Sequence, residues 1–180
     1  MNFKLLCDEL LSATPSINDL RSLGLSSEEI DEFVASFRIE TRKDKVLIGE
    51  ESDVVAHFFS DYDPSKVEVG MVRFLELPIL RNAKWQIGQV ESDPLIVDRV
   101  TGEVYVDDLT SPGLKLWICS DNFEHFLSAL IPAAQYLGRC LIDASELDNH
   151  DSFNKFLNES VISAGGDRYV AFYKMLLGAK

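Results

Sequence analysis

A change of hydrophobic period along the chain constrains its fold more than any other feature. Between Lys45 and Cys119, β-branched and aromatic residues recur in short runs: Val46 to Gly49, Val54 to Phe59, Val67 to Leu77, Trp85 to Val90, Leu95 to Asp98, Val104 to Val106 and Leu116 to Cys119. A period of two in residues of these types is a strand pattern. The runs are punctuated by Asp61-Tyr62-Asp63-Pro64, Arg81-Asn82, Asp93-Pro94, Thr101-Gly102 and Pro112-Gly113, all turn-forming pairs or clusters. Parallel neighbours need a long crossover connection, so turns this short predict an antiparallel meander.

On either side the period is that of a helix. Phe3, Leu6, Cys7, Leu10 and Leu11 form one apolar stripe, ended by Pro15. Ile17 to Leu23 is a short helical turn closed by Gly24, and Ser26 with Glu29 has the spacing of a capping box for a helix carrying Ile30, Phe33, Val34 and Phe37. After Cys119, Asp121 and Glu124 open a helix with a wide stripe of Phe123, Phe126, Leu127, Leu130, Ile131 and Ala134. Pro132 inside it removes one backbone hydrogen bond and predicts a kink. Two more helical pieces, around Phe153, Phe156 and Leu157 and from Tyr169 to Leu176, flank Gly165-Gly166. The expected fold is α+β in one domain over residues 1–180: a helical cap (1–40), a mainly antiparallel twisted sheet of about six strands (45–120), and C-terminal helices (121–180) packed with the cap on the sheet.

Charge narrows the function. Thirty Asp and Glu against 17 Lys and Arg leave a formal net charge of -13 and a pI near 4.6. A nucleic-acid binder needs a surplus of cations on some face, and an anionic membrane surface would repel this chain. The partner class left is a protein with a basic surface. Cys7, Cys119 and Cys140 are odd in number and lack CxxC spacing, so they predict reduced thiols rather than a disulfide framework or zinc site. The first residues hold Asp8 and Glu9 within what would be an apolar signal region, and no run reaches the length of a membrane span. A cytoplasmic location is the expectation.

No sequence cluster assembles a reaction. His57 lies in an apolar run and reads as a packed residue. Cys119 and His125 are the only Cys–His pair close in sequence, and they fall on a strand end and a helix surface. Asp148-Asn149-His150-Asp151 has ligand-type side chains without metal-site spacing, and Gly165-Gly166 follows a helix, unlike a phosphate-binding loop. No catalytic residue, cofactor or metal is therefore expected. Asp93, Asp98, Glu103, Asp107 and Asp108, with Arg99 alone opposing them, are expected to form an exposed acidic rim on successive turns of the sheet and to bind the partner. Trp85 and Trp117 are expected in the core.

The order Asp93-Pro94-Leu95-Ile96-Val97-Asp98, then Thr101-Gly102-Glu103-Val104-Tyr105, then Leu116-Trp117-Ile118-Cys119-Ser120 and the helix from Phe123 to Leu130 resembles the SMI1/KNR4 or SUKH superfamily. The entry Leu20 to Phe37 is similar to its longer bacterial branches. The Leu-Pro-aromatic element of the family's leading helix and the glycine-rich turn after it are absent. The resemblance implies an α+β binding module without catalytic residues, in bacteria commonly an immunity protein that neutralises a toxin, often a nuclease. An acidic adaptor that recruits basic proteins is the second expectation, and a small hydrolase using an unrecognised carboxylate pair or Cys119 with His125 the third.

Overall fold

The computed structural model describes residues 2–50 and 52–179. Helix α1 (Phe3–Ser12) starts at Asn2, whose side chain accepts from the Leu5 amide, and buries Phe3, Leu6, Cys7 and Leu10, the stripe its spacing predicts. Helix α2 (Ile17–Ser22) is capped by Ser16. In α3 (Ser27–Ala35) the capping box is complete: the Glu29 amide donates to Ser26 Oγ at 3.3 Å and the Ser26 amide to Glu29 Oε2 at 2.8 Å. A two-residue strand β1 (Glu40–Thr41) then pairs antiparallel with β2 (Tyr62–Asp63).

Between those strands the structure corrects the strand expectation. Val54 to Phe59 lies in helix α4 (Val54–Asp61), and Val46 to Gly49 has no regular structure. The reason is local. Asp53 Oδ1 accepts from the Val55 and Ala56 amides at 3.0 and 3.2 Å, a side-chain cap that starts a helix. Val55, Phe58 and Phe59 then fall one turn apart and are all buried, so a run with strand composition satisfies the helical period instead.

The main sheet is a six-stranded antiparallel meander: β3 (Glu68–Val69), β4 (Val72–Arg81), β5 (Lys84–Val90), β6 (Asp93–Asp98), β7 (Val104–Asp107) and β8 (Lys115–Ser120), neighbours in space as in sequence. The fold is α+β, with helices on both sides of this sheet in the chain. Irregularities of register bend it, two along β5 and two more between β7 and β8. Leu75 to Pro78 on β4 face only Ile87 on β5, and Ile87 is itself the extra residue of β5 against β6. Such bulges raise the local twist, and the first places Pro78 where the ladder asks for no amide. The Arg42 guanidinium donates to the Glu76 carbonyl at 2.5 Å and to those of Phe59 and Tyr62 at 3.0 and 3.2 Å, tying the bulge to α4.

Helix α5 (Phe123–Ile142) runs as one helix through Pro132. Its buried stripe, with α6 (His150–Ala164) packed beside it, covers one sheet face. A 3-10 helix (Ala144–Asp148) joins the two, and Gly165, at φ 111°, ends α6. A second 3-10 helix (Asp167–Tyr169) leads into α7 (Val170–Leu176). The core gathers Phe74, Trp85, Ile87, Leu95, Val97, Val104, Val106 and Cys119 from the sheet with Phe58, Phe59, Phe123, Phe126 and Phe172 from the helices. By alternation Lys84, Gln86, Ile96 and Tyr105 belong to the opposite face. Among the described residues no helix is long and apolar enough to cross a membrane.

Candidate functional site

The five turn carboxylates fall into two groups, because β6 and β7 run antiparallel with Leu95 opposite Val106 and Val97 opposite Val104. Asp93, Asp107 and Asp108 gather at one end of the hairpin, while Asp98 and Glu103 stand at the other. At the first end, Asp93 Oδ1 accepts from the Leu109 amide at 3.0 Å. Asp107 accepts from Gly113 at 2.9 and 3.1 Å. Asp108 Oδ1 takes the Thr110 amide at 2.7 Å, the Thr110 hydroxyl at 2.6 Å and the Ser111 amide at 3.0 Å. The β7–β8 loop is thus folded around its own carboxylates.

At the second end, Asp98 Oδ1 accepts from Val100 at 2.8 Å and Thr101 at 3.0 Å, an Asx turn closed by Gly102 at φ 81°. Glu103 departs from the exposed rim. It is 8% exposed, and its carboxylate lies between the Lys115 ammonium and the Arg168 guanidinium, the latter at 2.6 Å. Paired on both oxygens, it belongs to the structure of this end and offers little free charge to a partner. Asp93, Asp98, Asp107 and Asp108 are half-buried.

Asp98 and Asp108 are held as anions. Burial pushes the Asp98 carboxyl up, but the Thr101 and Val100 amides and the nearby Lys84 and Lys115 charges outweigh it and leave its pKa below the usual value. The Thr110 hydroxyl, then the Thr110 amide, lower that of Asp108. Among the described residues, the hydrogen bonds of Asp93, Asp98 and Asp108 all end on Oδ1. Each therefore presents a second oxygen on a side chain whose rotamer is already fixed.

Beside Asp107 and Asp108 a groove of about 500 Å³ runs between the β4–β5 hairpin and the β7–β8 loop, with Pro94 and Ile96 among its lining residues. Its lining comes from strands and turns alone. Next to it Tyr105 is wholly buried under the Lys84 and Lys115 ammonium groups, 5.4 and 4.4 Å from its ring centre, which seal the ring by cation–π contact.

The other candidates do not converge. His57 lies on α4 with Nε2 3.5 Å from Asp61. Cys119 is buried, its Sγ faces the Trp117 carbonyl at 3.9 Å, and burial raises its thiol pKa well above the ordinary value. His125 Nδ1 is 2.6 Å from Asp121, so the Cys119–His125 couple is not made. Asn149 caps α6 by accepting from Ser152 at 3.1 Å. Among the described residues no three His, Cys, Asp or Glu side chains gather as a metal site. Trp85 is in the core and Trp117 is half-buried.

Sequence reasoning missed Asp53. Besides capping α4, its Oδ2 accepts from Trp85 Nε1 at 2.8 Å and from Arg99 Nε at 2.7 Å, so one carboxylate joins α4, β5 and the β6–β7 turn. An Asp directly before an apolar run is a helix-start signal; its two distant partners had none. The cations Arg81, Lys84, Lys115 and Arg168 around the open face were also outside the acidic reading. In comparison with known proteins, the chain matches no family model, no curated protein and no solved structure.

Proposed function

We propose that this chain is a non-enzymatic binding module of the SMI1/KNR4 (SUKH) type, an immunity protein that neutralises a cognate toxin with a basic surface. The observation that carries this reading is the set of aspartates at the two ends of the β6–β7 hairpin, held rigid by turn hydrogen bonds, each of Asp93, Asp98 and Asp108 with one oxygen outside that hydrogen bonding. Preorganised carboxylates meet a lysine or arginine without the cost of ordering a mobile side chain. The net charge of -13 adds long-range attraction, and a nuclease, whose cleft must attract phosphate, is the kind of target such a field would find. The sequence resemblance supports the same class.

The test is to mix the protein with the product of the toxin gene beside its own. Association should slow steeply as salt rises while dissociation changes less. Replacing Asp93, Asp98 and Asp108 together by Asn keeps the acceptor oxygens that hold the turns and removes three charges, and it should slow association in the same way. A complex whose association rate ignores both salt and the triple variant would place the interface elsewhere, first on Glu28 to Glu32 of α3, where these acidic side chains are exposed.

A further inference from the structure

The groove on the open strand face has walls of opposite sign. Arg81 and Lys84 stand on the β4–β5 hairpin, Asp107 and Asp108 on the β7–β8 loop, and the apolar side chains of Ile79, Ile96 and Leu109 lie among them. Among the described residues no salt bridge joins the walls. Arg81 is exposed and has no ion pair among the described residues, and Asp108 spends its hydrogen bonds on Oδ1. Ile79 and Leu109 are 40% and 55% exposed. Apolar area left open between Arg81 and the second oxygen of Asp108 is complementary to a segment with the reverse pattern: its burial supplies affinity, and the charge order sets register and specificity.

Resting on the protein-binding reading above, we infer that this groove holds an extended segment of the partner in which an aliphatic side chain lies between a basic and an acidic one. The basic group meets Asp108, the acidic group meets Arg81, and the aliphatic side chain covers Ile79, Ile96 and Leu109. The volume of about 500 Å³ takes a few side chains of one segment, and the opposed charged walls set the order in which they lie. The groove then selects by charge order, while the net charge of the whole molecule selects only for basic partners.

The two effects predict opposite signs at Arg81. Arg81→Gln makes the chain more acidic, so general attraction to a basic partner would rise, whereas the groove loses its contact to the acidic residue. Random twelve-residue peptides displayed on phage are panned on the full chain, and enriched sequences are synthesised and titrated against variants shown by thermal melting to be folded. Enrichment of a basic–aliphatic–acidic pattern is expected. Binding should weaken about three- to fivefold in Arg81→Gln and in Asp108→Asn, as for a partly exposed charge pair. It should weaken in Leu109→Ser and stay unchanged in Glu159→Gln, on the remote helix α6. No enrichment, or peptides that bind Arg81→Gln as tightly as wild type or tighter, overturns the inference. Because no toxin enters this experiment, its failure is separate from failure to form a toxin complex, which would overturn the immunity reading instead.

Discussion

Gly88 sits where β5 passes the Arg73 carbonyl, and a Cβ there would lie 2.1 Å from that oxygen. No rotamer relieves a Cβ clash with backbone, so the strands must separate. Gly88→Ala should destabilise by about 3 kcal/mol, in the upper range of overpacking costs, read as a lower urea midpoint with unchanged slope. The reverse holds at the β4–β5 turn, where Asn82 and Ala83 have φ of 49° and 60°. Two left-handed residues in a two-residue hairpin suit the strand twist, but Ala pays a steric cost there that Gly does not. Ala83→Gly should stabilise by roughly 0.5–1 kcal/mol after Gly's greater unfolded entropy is set against the relieved strain. Asp98 gives a pH test. Its folded pKa is depressed, so its contribution is present above the unfolded value of about 3.9 and is lost as pH falls through the folded one. Wild type should melt above Asp98→Asn at pH 7, and the gap should close below about pH 4; a gap that persists in acid would show that the charge was not its source.

Helix α4 shows how an element is decided by residues outside it. Val-Val-Ala-His-Phe-Phe is as acceptable to a strand by composition as to a helix by spacing, and six residues are too few for either period to win. Asp53 breaks the tie at the amides of Val55 and Ala56 and then carries the helix to Trp85 and Arg99. Asp53→Ala removes a cap worth about 1 kcal/mol and leaves the indole N–H of the buried Trp85 unpaired at about 1–3 kcal/mol more. A total loss of about 2–4 kcal/mol is therefore expected in chemical denaturation. Asp53→Asn, which keeps the capping oxygen, should lose less. A loss confined to a few tenths of a kcal/mol would mean that α4 is held by Phe58 and Phe59 alone. By contrast α3, with both hydrogen bonds of its capping box made, needed nothing from afar to be read correctly.

At the scale of the molecule, a net charge of -13 works against its own compaction. Screening shortens from about 30 Å at 0.01 M salt to about 8 Å at physiological ionic strength, and the exposed ion pairs that salt would weaken contribute little each. The melting temperature should therefore rise between low and physiological salt; a fall would mean that pairs such as Lys66–Glu40 and Arg73–Glu68 outweigh the repulsion. The same screening that stabilises the free protein slows its association with a basic partner, so the two measurements should move in opposite directions with salt.

The order of strands, the glycine that closes α2, the capping box of α3 and the apolar stripe of α5 were legible because each rests on contacts between residues close in sequence: turns, caps, and side chains one helical turn apart. The sign of the charge was legible because it is a sum. Tertiary structure alone decided which turn carboxylates remain available. Glu103 looked like its neighbours until Lys115 and Arg168, from a later strand and the C-terminal helices, closed on it. Likewise the groove and its opposed walls exist only because the β7–β8 loop folds back toward the β4–β5 hairpin across the intervening strand β6. Burial and pairing depend on which distant segments meet, and local pattern holds no record of that meeting.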